Sequence, residues 1–208
     1  MAYGIRLKVW GEYACFTRPE VKNKRVSYAV LPPSAARGIL EAIYWTPTLC
    51  WVVHRIYVMN PIQFEEIMRY ERIREPKPKR PTPNSCDNFT QVTHKMRPAK
   101  VLRNVVYGIE AHFKLRGASD GNATKHKKIF ERRARKGRCF QQPFLGCRNY
   151  PAEFELIENE MPESALNGTY DMGRLLQDAD HKNCIETDYF RAIMQDGIIE
   201  VPPKKGAM

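Results

Sequence analysis

No stretch of this 208-residue chain comes near the ~18 consecutive apolar residues that a membrane-spanning helix needs, so no membrane partner is expected. The N-terminus, Met1-Ala2-Tyr3-Gly4-Ile5-Arg6, lacks the apolar core of a secretory signal. The cysteines at 15, 50, 86, 139, 147 and 184 include no Cys-x-x-Cys pair, which argues against a zinc site and against a disulfide framework. They read as reduced thiols in a cytoplasmic protein, and the sequons at Asn88, Asn122 and Asn167 then read as chance. There is no Walker loop; Gly117-Ala118-Ser119-Asp120-Gly121 is only turn-rich. Between residues 95 and 148 the only acids are Glu110, Asp120 and Glu131, too few for the clustered carboxylates of a two-metal nuclease. Neither a metal nor a cofactor is expected.

Positive charge is abundant. Lys and Arg number 34 against 23 Asp and Glu, for a net charge of +11. The excess is concentrated: residues 95–148 carry 15 basic and 3 acidic side chains, whereas residues 149–208 carry 5 and 12. A block that repels itself so strongly points to a polyanion, because cationic side chains gain binding free energy by releasing counterions from phosphates.

Hydrophobic periodicity outlines the fold. Ile5, Leu7 and Val9 alternate with Arg6, Lys8 and Trp10, the period of a half-buried strand, and Gly11 reads as a bulge or bend in it. Pro32-Pro33 open a helix, with Ser34 as a candidate cap, and Ala36, Ile39, Leu40 and Ile43 form one apolar stripe. Residues 51–59 and 62–74 read as strands, and 105–115 as the cleanest strand of all. Residues 75–95, with Pro76, Pro78, Pro81 and Pro83, read as a long mobile loop. A second helix spans about 122–136, capped by Asn122 and stopped by Gly137. Residues 153–157 make a short strand, and an acidic, β-rich tail follows. The order β-α-β-β-(β)-α-β fits an α+β, ferredoxin-like (RRM-like) sheet. Residues 1–160 would form that domain and 161–208 a small β-rich C-terminal subdomain.

The second helix carries the most chemistry. At about 100° per residue from Ile129, Phe130, Ala134 and Ala123 define the buried arc and His126 lies near 60°, inside it. Lys125 falls on its edge, and Arg132, Arg135, Lys128 and Lys136 line the wet face. His126 is thus a titratable ring turned toward the protein body at a helix N-terminus, where anions are favoured. A core histidine bonded to a carbonyl is the plainer reading. His112 is a weaker second candidate, and His54, His94 and His181 lack such a basic neighbourhood. Tyr44 ends the first helix beside Trp45, as a core-edge residue or a catalyst. Gly38, in mid-helix, serves either a close approach or a packing contact. His, Lys and Tyr are the types a metal-free ribonuclease needs, since the ribose 2′-hydroxyl can attack its own phosphate given a base, an acid and a cation.

Longer blocks resemble a known family. Tyr13-Ala14-Cys15-Phe16-Thr17-Arg18-Pro19-Glu20 and Pro33-Ser34-Ala35-Ala36-Arg37-Gly38-Ile39-Leu40-Glu41-Ala42-Ile43-Tyr44-Trp45 look like the CRISPR-associated Cas-five family, type I-C (Dvulg) subtype, of the repeat-associated RNA-binding (RAMP) superfamily. So do Lys125-His126, Arg132-Arg133-Ala134-Arg135, Gly137-Arg138-Cys139-Phe140, Pro143-Phe144-Leu145-Gly146-Cys147-Arg148 and Tyr189-Phe190-Arg191-Ala192-Ile193-Met194-Gln195-Asp196-Gly197. Pro32 and Asn149 depart from the family's usual Thr and Glu. The resemblance implies a metal-independent endoribonuclease that cleaves precursor CRISPR RNA within its repeat hairpin, leaving a 2′,3′-cyclic phosphate and a 5′-hydroxyl. It implies retention of the 5′ handle of the mature crRNA and assembly with the backbone and large subunits of Cascade, with target DNA met inside that complex. It places catalysis on Tyr44, Lys125 and His126. RNA contacts are expected from Arg18, Lys22, Lys24, Arg37, Arg132, Arg133, Arg135, Lys136, Arg138 and Arg148. The alternative is a non-catalytic scaffold that only grips the handle; a third class, a basic ribosome-associated protein, would show no preference for a repeat hairpin.

Overall fold

Alternating apolar residues build one large sheet. The computed structural model describes residues 4–21, 24–74, 92–115, 123–179 and 187–203. The elements are β1 (Ile5–Ala14), β2 (Arg25–Val26), α1 (Pro33–Ile43), β3 (Leu49–Val58), β4 (Phe64–Arg74), β5 (Val92–Leu115), α2 (Ala123–Arg135), β6 (Glu153–Leu156), β7 (Thr169–Ala179), β8 (Thr187–Gln195) and β9 (Ile198–Glu200). The strand order is β6-β1-β5-β3-β9-β8-β7, with β2 and β4 also paired to β5. The β1–β5, β1–β6 and β3–β5 pairs are antiparallel, and the short β2 is parallel to β5. The protein is thus a mixed α/β molecule dominated by an antiparallel sheet.

The burial pattern follows the alternation. Ile5, Leu7 and Val9 of β1 are buried, as are Val105, Tyr107, Ile109, Ala111 and Phe113 of β5. In β3 the buried set runs Leu49, Trp51, Val53 and then Ile56, Val58. A bulge between Val53 and Arg55 absorbs the odd residue, so the apolar side chains keep to one face while His54 is displaced. Gly11 does not break β1, which runs on to Ala14. Its glycine is needed for a different reason: a Cβ there would lie 2.6 Å from Leu145 Cδ1 and 3.1 Å from the Pro151 carbonyl.

Helix α1 begins differently from the expectation. Pro32 holds the N-cap position in extended geometry with no side-chain cap bond, so Ser34 does not cap; it already lies inside the helix that Pro33 opens. Helix α2 ends as expected. Gly137 is left-handed (φ +60°), its N–H donates to the Ala134 carbonyl at 3.2 Å, and the Arg138 N–H donates to Arg133 at 2.9 Å, a Schellman arrangement. Asn122, the expected cap, and most of the proline-rich segment lie outside the described residues; residues 92–95, assigned to that loop from its prolines, are the start of β5. The C-terminal strands are continuous with the sheet through the antiparallel β9–β3 pair.

A Cβ at Gly38 meets nothing within 4 Å, so this glycine serves no packing contact in the isolated chain. Gly38→Ala is expected to raise stability by about 0.5–1 kcal/mol, read as a higher Tm. Weaker binding of repeat RNA by the same variant would identify the open side of Gly38 as a place of close RNA approach.

Candidate active site

Helices α1 and α2 meet where the first ends and the second begins. Beneath them Trp51 of β3 packs on Phe113 of β5 (centroids 5.4 Å) and on Phe130 of α2 (4.9 Å). Tyr44, the residue after α1, turns out of the helix into extended geometry, and its carbonyl accepts a bond from Trp51 Nε1 at 3.1 Å. The residue is 7% exposed, and its hydroxyl has a partner within the protein. The partner is His126: Tyr44 Oη lies 2.8 Å from His126 Nδ1. The two rings are 5.9 Å apart, and Phe113 meets His126 edge-on at 6.3 Å. His126 is half-buried in the first turn of α2, which holds no acidic residue. Lys125 is exposed and opens onto a surface concavity of about 510 Å³ shared with Thr124, Lys128, Ile129 and Arg132. The structure therefore brings Tyr44 and His126 into contact and sets Lys125 on the solvent side beside them.

Arg133 has a more specific place than its assignment to the phosphate backbone gives it. Its guanidinium lies 5.1 Å from the centroid of the Tyr44 ring, and Nη1 donates to the Ile43 carbonyl at 3.0 Å. It pins the end of α1 at the residue that carries the phenol. The signal was present in the helix period: Arg133 follows His126 by seven residues, two turns along one stripe.

The other basic candidates are dispersed. Arg132, Lys136, Arg138 and Arg148 are exposed, as is Lys24. Arg135 pairs with Glu158. Arg18 is half-buried with its guanidinium 5.2 Å from the Tyr28 ring centroid, and Arg37 pairs with Glu41 one turn along α1 at 3.4 Å. Lys22 lies outside the described residues.

A second histidine constellation escaped the sequence reading. His54 and His112 stack at 4.4 Å with 17° between their planes, and His54 Nε2 bonds His112 Nδ1. They line a cavity of about 510 Å³ with Arg37 and Lys114, so both do have basic neighbours. The β3 bulge beside His54 carries no sequence signature strong enough to have foreseen the pair. Burial, the nearby His54 and the charge of Lys114 lower the His112 pKa from its usual 6.5. Among the described residues no group of three or more His, Cys, Asp or Glu is arranged to hold a metal ion, and no helix is long and apolar enough to cross a membrane.

Comparison with known proteins decides the family. The family profile Cas_Cas5d, described as CRISPR-associated protein (Cas_Cas5), matches residues 4–202. The chain belongs to the Cas5 family of CRISPR-associated proteins. It is 45% identical to the "CRISPR pre-crRNA endoribonuclease Cas5d" of Mannheimia succiniciproducens, over 98% of this chain and 96% of that one. A protein of the same name from Thermus thermophilus is 40% identical over 84% of this chain and 72% of its own length. Among solved structures, a "CRISPR-associated Protein" superposes with a TM-score of 0.72 at 26% identity, covering 96% of this Cas5 chain and 92% of the other. Streptococcus mutans SMU1763c shares the fold, with a TM-score of 0.70 at 23% identity over 96% and 92% of the two chains.

The His54–His112 pair gives stability a pH dependence. With the folded His112 pKa below its unfolded value, the unfolded chain takes up the proton first as pH falls. Stability is therefore full above about pH 6.5 and is lost progressively below it, toward the lowered folded pKa. A Tm series from pH 7.5 to 5.5 should show this fall, and His112→Gln should flatten it; an unchanged slope in that variant would place the sensitivity elsewhere.

Proposed function

We propose that this Cas5 chain is an endoribonuclease that cuts precursor CRISPR RNA within the repeat without a metal ion. It then holds the 5′ handle as a subunit of a type I-C Cascade complex. The observation that carries this reading is the Tyr44 Oη–His126 Nδ1 contact at 2.8 Å, with Lys125 exposed beside it on a basic helix face. The names of the two similar relatives support the substrate. The order β6-β1-β5-β3, with α1 between β1 and β3 and α2 between β5 and β6, supports a ferredoxin-like core. Strands β7–β9, from the part beyond residue 160, form the small β-rich addition.

The chemistry follows from the hydrogen bond. With Nδ1–H donating to Tyr44 Oη, Nε2 is the nitrogen left for substrate. As neutral imidazole it takes the proton of the ribose 2′-hydroxyl; as imidazolium it gives a proton to the O5′ leaving group. The O2′–P bond forms, the P–O5′ bond breaks, and the proton lost from O2′ is balanced by the one gained at O5′. The products are a 2′,3′-cyclic phosphate and a 5′-hydroxyl. Tyr44 orients the imidazole and the 2′-oxygen, and the Lys125 ammonium offsets charge on the pentavalent phosphorus. Arg132, Lys136, Arg138 and Arg148 hold backbone phosphates.

Purified protein is expected to cleave labelled repeat RNA in EDTA to a cyclic-phosphate end. His126→Ala should slow cleavage by about 10²–10⁴-fold while still binding the hairpin. Tight binding with no wild-type cleavage would leave a handle-gripping scaffold; cleavage restored only by a divalent cation would overturn the metal-free route. Arg133→Ala should slow cleavage about 10–100-fold and displace the pH–rate profile, with partial rescue by Arg133→Lys. A loss of RNA affinity at unchanged single-turnover rate would return Arg133 to the phosphate backbone.

A further inference from the structure

Two cysteines 132 positions apart lie in one pocket of charge that the proposed chemistry does not use. Cys15 follows β1 and is fully buried. The turn closed by the Phe144–Pro151 bridge is pressed against it: the Cys15 N–H donates to the Leu145 carbonyl at 3.0 Å. Gly146, left-handed at φ +83°, would place a Cβ 2.1 Å from the Cys15 carbonyl oxygen, so only glycine permits this approach. The turn thereby brings the Cys147 thiol to donate to the same carbonyl at 3.6 Å, while the Cys15 sulfur lies 3.8 Å from Thr17 Oγ1. Arg25 Nη1 stands 3.9 Å from Cys147 Sγ. The Arg69 guanidinium lies 5.5 Å from the Tyr150 ring centroid, and its charge bears on the same sulfur.

One sulfur is therefore half-buried beside the Arg25 guanidinium, and the other belongs to the fully buried Cys15 behind it. The neighbouring Cys15 and the charges of Arg69 and Arg25 lower the Cys147 pKa, against its partial burial. The neighbouring Cys147 and burial push Cys15 up. The more accessible Cys147 sulfur beside Arg25 and the enclosed Cys15 behind it are placed as an attacking and a resolving cysteine are.

We propose that Cys147 and Cys15 form a peroxide-responsive pair: Cys147 is the site of oxidation and Cys15 resolves it to a reversible disulfide. The Cys147 thiolate attacks hydrogen peroxide, the O–O bond breaks, and hydroxide leaves as water with a proton from solvent, giving a sulfenic acid. The Cys15 sulfur, losing its proton, then attacks Cys147; the S–O bond breaks and a second water leaves. The two thiols lose two electrons and one peroxide gains them. None of this depends on the RNA chemistry.

The test uses the full-length wild-type chain. Cys147 should alkylate with iodoacetamide at pH 6 at least about tenfold faster than Cys139. Stoichiometric hydrogen peroxide at pH 7, followed by non-reducing peptide mapping with fragmentation, should show a Cys15–Cys147 link that dithiothreitol reverses. Cys15→Ser should instead accumulate a dimedone-trapped sulfenic acid at Cys147; if that variant does not fold, the wild-type map decides. Equal alkylation rates at Cys147 and Cys139, or peroxide treatment that leaves Cys15 and Cys147 unlinked, would overturn the proposal.

Discussion

The hydroxyl of one enclosed phenol finds its hydrogen-bond partner on another helix, and in this molecule that bond ties two helices together. Tyr44 is almost wholly enclosed where α1 ends. An unmet hydroxyl there would cost about 1–3 kcal/mol. The bond to His126 Nδ1 meets it, and it can form only because α2 begins at the same place over the same aromatic patch of Trp51, Phe113 and Phe130. Arg133 closes the arrangement by lying over the phenol and bonding the last carbonyl of α1. One interaction therefore positions both ends of the site and fixes which imidazole nitrogen is left for other work.

The sheet exists, in this view, to hold that junction. β3 and β5 supply the aromatic floor, and the long antiparallel β3–β5 register fixes Trp51 opposite Phe113. The bulge next to His54 preserves the buried face along the rest of β3. Around the floor the charges segregate: α2 and the loop after it present Lys125, Lys128, Arg132, Lys136 and Arg138 to solvent. The histidine–tyrosine pair lies at the edge of that basic face.

Much of this was legible in the residues. Period-two alternation located β1, β3 and β5, the apolar stripe located α1, and the helical period turned His126 toward the protein body. Gly137 stopped α2 as a left-handed residue should. What local pattern could not supply was register and long-range contact. The cap of α1 went to Pro32 because two successive prolines set the chain direction before Ser34 is reached. The start of β5 was hidden by the proline run beside it. The His54–His112 stack depends on a bulge, Arg133 on a carbonyl 90 positions away, and Cys15 and Cys147 on a glycine that lets one turn lie against one strand. These are consequences of packing, and periodicity carries no information about them.

The central claim is that Tyr44 and His126 act as one unit. The most direct test is a double-mutant cycle on the single-turnover cleavage rate of repeat RNA, with Tyr44→Phe, His126→Ala and the double variant measured beside wild type under conditions of saturating binding. If the hydrogen bond makes them a unit, the double variant is no slower than His126→Ala alone. If the two losses multiply, Tyr44 and His126 act independently, and the contact between them is packing rather than mechanism.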